Sequence, residues 1–502
     1  MKYYSKSYNK KIILTLCIII FLIQPTIISQ SKQIKGNQYY LNLLSETTIF
    51  TTNIEIVNPR CSVPVFAIKN STFKIILKGS LPTSFSVYLT TAYETVVDDI
   101  WLPIQRVQSS NSTYEVTVIV PVFTPVELYN LTILINNNGV YQKLTEPRCV
   151  QVIDVFKDTF SFIHITDFHI GDLRGLSESI KETIGWKSIK RCIDEINIIR
   201  PDFVLISGDL VFGQLYPFEY HREYKVCYEM IQEFDVPTFL APGNHDGYNR
   251  ILEDGFSYWQ DYFGPLYYSF DYGNYHFQAI NSYDMSKIFR LTFLFIPLNW
   301  GGSISDEQLN WIEQDLQQHS SKHTIQFMHH NPLWDTGKDS LIRKDYENRE
   351  NLLNIIDEYN VDMVLAGHVH WDSVNIENDT IFITTTTPES EIRVFDGYWG
   401  YRLIEIKDND IYKYNYKEPK YSIPSYHLKV NNWQEGRLAF VEFTNKLECD
   451  IICHAEVIIP AGEYQISEGT FIQQRTQDRI TQLFISCQVP ADSIKTVFIS
   501  SI

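Results

Sequence analysis

A chain of 502 residues is too long for one comfortable hydrophobic core, so two or three domains are expected. At 44% hydrophobic and 20% charged residues, its composition is that of a globular protein. The formal charge of -18, with no Lys/Arg block, argues against a nucleic-acid-binding surface and means that an anionic substrate would need local help, such as bound metal.

The chain opens with Lys6, Lys10 and Lys11 ahead of an apolar stretch from Ile12 to Ile23, which Gln24 and Pro25 interrupt. Ser29 and Ser31 follow at a cleavage-like spacing, so residues 1–31 are predicted to be a secretory signal peptide. If uncleaved, the same run to Ile28 would be a marginal membrane anchor. No second hydrophobic span or C-terminal retention signal is expected. Sequons at Asn70, Asn111, Asn130 and Asn378 agree with a secreted or endomembrane-lumenal glycoprotein. Without Cys17 seven cysteines remain. The repeated contexts "NPRC" and "EPRC" suggest a Cys61–Cys149 disulfide, Cys192 with Cys227 a second, and Cys449, Cys453 and Cys487 a third with one thiol spare; buried free thiols are the alternative.

Residues 32–150 alternate with period two. Tyr114, Val116, Val118 and Val120 share one face, as do Leu131, Ile133 and Ile135, and "NNNG" ending at Gly139 suits a hairpin, so an N-terminal β-sandwich domain is expected. Asn130 would lie on the face opposite Leu131, where a glycan would point to water. From 155 to 407 apolar strands alternate with helical spacing, which predicts an α/β domain. Within it, Ser305 is placed as a helix N-cap with Gln308 at the capping-box position. Residues 408–426 read as a Tyr- and Pro-containing linker. Residues 427–502 return to alternation as a smaller β-domain, with Leu483, Ile485, Cys487 and Val489 on one face.

Five polar clusters stand at the ends of the apolar runs: Asp167 and His169; Gly208 and Asp209; Gly243 to Asp246; His329 and His330; Gly367, His368 and His370. Residues i and i+2 of an extended strand face the same way, so each D-x-H or H-x-H pair could present two ligands together. Ligands in parallel α/β sheets collect at the carboxyl ends of strands. Nitrogen and oxygen donors without cysteine suit divalent first-row metals.

In the order D-x-H, G-D, G-N-H-D, H-x-P, G-H-x-H, these blocks resemble the calcineurin-like metallophosphoesterase family over roughly residues 160–406. The resemblance implies an α/β metallophosphoesterase core, a β-sandwich flanked by helices around two divalent ions (zinc, manganese or iron), here carrying N-terminal and C-terminal β-domains. By motif, one ion would take Asp167, His169, Asp209 and His370. The other would take Asp209, Asn244, His330 and His368, with Asp209 bridging. His330 is chosen because it stands two before Pro332, and His329 is left undecided. Four positive charges against two aspartates would leave a cationic spot for phosphate. The implied reaction is hydrolysis of a phosphomonoester or phosphodiester by in-line attack of a metal-bridging hydroxide. His245 would contact the phosphoryl oxygen or protonate the leaving group, with Asp246 orienting its ring.

Purple acid phosphatases resemble this order but place a tyrosine where Phe212 stands, so a tyrosinate–iron site is not expected. The segment from Lys287 to Trp300 is expected to be core packing or a loop tucked on the β-domain, with an apolar rim for a lipid as the alternative. His164, His221 and His276 are taken as structural. The rival to a phosphoesterase is a cell-surface binding protein that keeps an inactive metallophosphoesterase domain as scaffold.

Overall fold

The computed structural model describes residues 54–80, 82, 84–91, 99–137, 140–172, 179–214, 219–250, 253–293, 296–333, 346–389 and 398–502. The signal segment, Cys17 and the hairpin tip at Gly139 lie outside the described residues.

Two sheets face each other at the centre. The first runs in the order Thr238–Ala241, Phe203–Ser207, Phe160–Ile165, Gly400–Lys407, Asp410–Lys413, with the first three strands parallel. The second runs Tyr268–Tyr272, Tyr275–Ile280, His323–Met328, Met363–Ala366, Thr380–Thr384, Ser373–Glu377, with its four central strands parallel. Strands covered on both sides should be apolar throughout rather than alternating. Phe203–Ser207 and Met363–Ala366 are buried at every residue. Phe162, Phe203, Leu205, Phe239, Phe277, Phe327 and Leu365 fill the space between the sheets. Helices Ile184–Ile199 and Tyr220–Ile231 share a core with strand residues Ile163, Ile165, Val204 and Ile206 of the first sheet, while Asp306–Gln318 and Arg349–Glu358 pack with Ile280, Met328 and Val364 of the second. The result is a β-sandwich flanked by helices.

Ser305 caps Asp306–Gln318 by accepting the Gln308 N–H at 3.2 Å. Gln308 does not reach back to complete the box. Its amide donates instead to Asn281 O at 2.9 Å, which ties the helix start to the end of strand Tyr275–Ile280.

Sheets that are antiparallel except where Val65–Ile68 pairs parallel with Val140–Ile153 flank this core. Strands between Ile54 and Ile153 form a four-stranded and a five-stranded sheet around Val116, Val118, Leu131 and Ile133, and strands between Leu428 and Ser501 form a four-stranded and a three-stranded sheet. Residues 53–502 form one compact unit. Phe66 packs its ring on Tyr272 at 5.0 Å and Phe239 at 5.7 Å, and Arg191 donates to Leu428 O at 2.6 Å. The stretch expected as a linker is partly sheet: Asp410–Lys413 and Ile423–Pro424 both pair with Gly400–Lys407.

Three sequence expectations are corrected here. All seven described cysteines are free thiols, and Cys61, Cys149, Cys192 and Cys227 are buried as small hydrophobes. Glu146 holds Cys61 and Cys149 through separate bonds, accepting the Cys61 N–H at its carboxylate and the Cys149 thiol at its backbone oxygen. Asn130 does not point freely to water. Its amide donates to Thr91 O at 3.3 Å and accepts the Arg148 N–H at 2.9 Å, where a bulge interrupts the strand pairing. Asn70, Asn111 and Asn378 are exposed at left-handed turn positions. The Lys287–Trp300 segment is not core throughout, since Ile288 and Ile296 are each 64% exposed, although Arg290 is buried against Asp254 at 2.8 Å.

His276 is structural, as expected. Its ring bridges Asp271 and Asp315, 2.8 Å from each. His319 stacks on it at 3.9 Å and Lys322 pairs with Asp271. Burial alone would lower its pKa, but the two carboxylates outweigh burial and hold it above the ordinary value. A histidine raised in the folded state contributes stability that is complete below its unfolded pKa, about 6.5, and is lost as pH rises through the folded value. Thermal unfolding followed across that window should show the melting temperature falling above about pH 7, and a flatter profile for His276→Gln. Parallel profiles for the two proteins would contradict the assignment.

Candidate metal centre

The five clusters converge at one edge of the sandwich. Strand Phe160–Ile165 ends two residues before Asp167, and Met363–Ala366 ends two before His368. Neither pair continues its strand. Asp167, His169, Asp209, His368 and His370 all adopt left-handed backbone, with φ of 59°, 47°, 53°, 72° and 60°. Ordinary residues rarely adopt that conformation, and it is retained chiefly where the surroundings demand it, typically at functional sites. The i, i+2 pairs therefore meet through strained turns, not through strand alternation as expected. The turns are zipped together: Asp167 N–H donates to Gly208 O at 3.0 Å and His169 N–H to Asp209 O at 2.9 Å.

Asp209 is the hub. Its Oδ1 accepts the His245 N–H at 2.8 Å. Its Oδ2 lies 3.3 Å from His169 Nε2, 3.0 Å from His329 Nε2 and 3.9 Å from His245 Nε2. Asp167 Oδ1 lies 3.2 Å from His370 Nε2 and 3.9 Å from His329 Nε2. His329 Nε2 is also 3.3 Å from His368 Nδ1. Four of the resulting triads could each hold an ion: Asp167, His169 and His370; His169, Asp209 and His245; Asp167, Asp209 and His329; His329, His330 and His368.

Electrostatics and orphaned atoms both fit a cation here. Burial would raise Asp209, but His329 and His245 hold it well below the usual carboxylate range. Burial would lower His169 and His329, yet the aspartates beside them push both up to about 9. Among the described residues, Asp167 Oδ1 and Asn244 Oδ1 are buried without a hydrogen-bond partner, a costly state for a polar atom unless something else satisfies it. Asn244 is fixed for that purpose by its amide, which donates to Tyr248 Oη at 2.7 Å.

The adjacent histidines differ in what they have left to offer. His330 accepts the Ser282 hydroxyl proton at Nδ1, 2.9 Å away, while its own N–H donates to Ser282 Oγ at 2.9 Å. Its Nε2 donates to Trp300 O at 2.9 Å, so neither ring nitrogen is free. Burial pushes its pKa down to about 3. His329 donates Nδ1–H to Ser207 O at 2.8 Å, which leaves Nε2 facing Asp209 as the nitrogen that would offer its lone pair once an ion takes the place of its proton. The geometry thus reverses the expected roles. Strand parity carries the reason: Ile325 and Phe327 face the space between the sheets, and His329 continues that face.

Asp246 also departs from expectation. It accepts from the N–H groups of Leu210 (2.9 Å), Val211 (3.1 Å) and Gly243 (2.8 Å). As third residue of the turn Asn244–Gly247 its carboxylate folds back on the turn's start, and it does not orient the neighbouring imidazole. The Phe212 carbonyl does that instead, accepting His245 Nδ1–H at 2.6 Å. The ring of Phe212 lies 6.1 Å from that of His169. Burial lowers His245 to about 4, so its ring is neutral in the free protein. Ser207, Ser282 and the Phe212 carbonyl have no sequence signal, because their contributions depend on backbone position. His164 stays structural, between Thr385 Oγ1 and Ser207 Oγ at 2.7 Å each.

Residues 160–372 match the family model described as calcineurin-like phosphoesterase. The protein named "Probable glycerophosphodiester phosphodiesterase GpdQ" of Arcobacter nitrofigilis is 28% identical over 213 residues, 41% of this chain and 71% of that protein. The "Probable cyclic nucleotide phosphodiesterase CBUA0032" of Coxiella burnetii is 24% identical over 282 residues, 52% of this chain and 95% of its own. Among solved structures, a dimetal phosphatase from Danio rerio is similar over 57% of this chain and 96% of its own, at 14% identity and a TM-score of 0.37.

Proposed function

Since this chain belongs, over residues 160–372, to the calcineurin-like phosphoesterases and is a metal-dependent phosphoester hydrolase, we propose that it is a dinuclear phosphodiesterase. Asp167, His169, Asp209 and His370 would hold one divalent ion. Asp209, Asn244, His329 and His368 would hold the other, with His329 in the place first expected for His330. The observation that carries this reading is Asp209 Oδ2, within 3.0–3.3 Å of imidazole nitrogens from two different clusters. Ligands sharing one ion on bonds of about 2.0–2.2 Å come about that close to each other.

Bound there, the two ions would supply Lewis acidity at the phosphoryl oxygens and a nucleophile effective at neutral pH. The chain's own groups position the ester. His245 offers Nε2 beside Asp209, to contact a phosphoryl oxygen and, once protonated as the anionic substrate enters, to pass that proton to the departing oxygen. The names of the relatives favour diesters over monoesters. Every expected ligand type is present, so nothing favours the scaffold alternative. The flanking sheets at 54–153 and 428–501 are read as accessory β-domains, and the N-terminal segment and sequons support a secreted or lumenal location.

Hydrolysis of bis(p-nitrophenyl) phosphate tests the reading. Activity should disappear on chelation and return with Mn²⁺, exceeding that on p-nitrophenyl phosphate. Turnover unaffected by chelation would contradict it.

A further inference from the structure

Gly213 lies four residues beyond Asp209, and every polar atom of its backbone is engaged. Its N–H donates to Glu223 Oε2 at 2.8 Å, and its carbonyl accepts Arg250 Nε–H at 2.7 Å. Its φ is +58°, and a Cβ there would lie 2.5 Å from both His245 O and the Tyr220 ring, so only glycine fits. The peptide before it presents the Phe212 carbonyl to His245 Nδ1. Tyr220 Oη donates to His245 O at 2.9 Å, and the Arg250 guanidinium sits 4.8 Å over the Tyr220 ring. Two buried side chains from separate elements thus clamp the peptides on either side of Gly213: Glu223 holds the N–H of the peptide whose carbonyl, Phe212 O, orients His245, and Arg250 holds the carbonyl of the next.

Glu223, on helix Tyr220–Ile231, is fully buried. Its carboxyl also packs directly on Gly171 of the turn after His169, since a Cβ at Gly171 would lie 2.3 Å from Oε1. Burial pushes its pKa up to about 8, so it is neutral at neutral pH and glutamine is its close mimic. The Gly213 N–H bonds this buried carboxyl, and the Arg250 guanidinium is near enough to oppose the effect of burial.

We propose that Glu223 and Arg250 are positioning residues that act through Gly213 and the Phe212 carbonyl to hold the His245 imidazole against the leaving group. The inference rests on the role given to His245 above. In that step a water-derived oxygen bonds to phosphorus as the P–O bond to the leaving group breaks, the departing oxygen takes from His245 Nε2 a proton that the ring gained from solvent on substrate binding, and the ring returns to neutral.

A pair of diesters differing only in leaving group reads this out: ethyl phenyl phosphate, whose phenolate needs protonation, and ethyl p-nitrophenyl phosphate, whose leaving group does not. Glu223→Ala and, independently, Arg250→Met should slow the phenyl ester at least about 10-fold more than the nitrophenyl ester, part of the 10²–10⁴ that a positioned acid contributes. Metal content should be unchanged and Glu223→Gln should stay near wild type. Equal losses on both esters, or Gln as damaging as Ala, would overturn the proposal. If His245→Ala itself fails to discriminate between the esters, the role of His245 falls with it. If the wild type hydrolyses neither, the phosphodiesterase reading fails first.

Discussion

Asp209→Asn should lower diester hydrolysis by more than about 100-fold, beyond the 10–100-fold that loss of an outer hydrogen-bond partner costs a metal site. Asparagine keeps the shape and can still accept the His245 N–H through its oxygen, the bond Asp209 Oδ1 makes at 2.8 Å. It removes the negative charge and turns an amide donor toward His169 and His329, which lie 3.3 and 3.0 Å from Oδ2. Two adjacent dications lose the carboxylate common to both, so metal content should fall while circular dichroism stays native. A variant with wild-type turnover would remove Asp209 from the mechanism.

His329→Ala and His330→Ala should separate cleanly despite their adjacency. Removing His329 deletes the nitrogen that faces Asp209 and His368, so one ion per chain should be lost and activity should fall more than about 100-fold. Removing His330 instead breaks the bonds to Ser282 and Trp300. That loosens the Asn281–Trp300 segment but leaves both ion sites supplied, and the loss should stay within about 10–100-fold. The opposite order would restore the assignment based on spacing to Pro332.

Much of the centre was legible because its chemistry is written in residue types at the ends of apolar runs, and a run buried on both sides can only be a central strand. Asp167, His169, Asp209, Asn244, His368 and His370 were read that way, and the structure brings them to one edge of the sandwich. What the spacing could not provide was the direction of a lone pair. His329 and His330 are equivalent in composition, and a two-residue offset to proline was used where strand parity from Ile325 and Phe327 decides the face. Asp246 invited a local role beside His245, but its carboxylate satisfies three backbone N–H groups. The cysteines failed for a related reason: repeated contexts suggested a bridge, whereas Glu146 holds Cys61 and Cys149 through separate bonds. Glu223 carried no signal, since a glutamate on an amphipathic helix ordinarily faces water.

The pair of histidines can also be told apart by direct observation. Anomalous scattering from crystals grown with Mn²⁺ locates the ions. The account predicts two peaks that share Asp209, one beside Asp167, His169 and His370, the other beside Asn244, His329 and His368. A single peak, or a peak bound by His330 and not by His329, would contradict it.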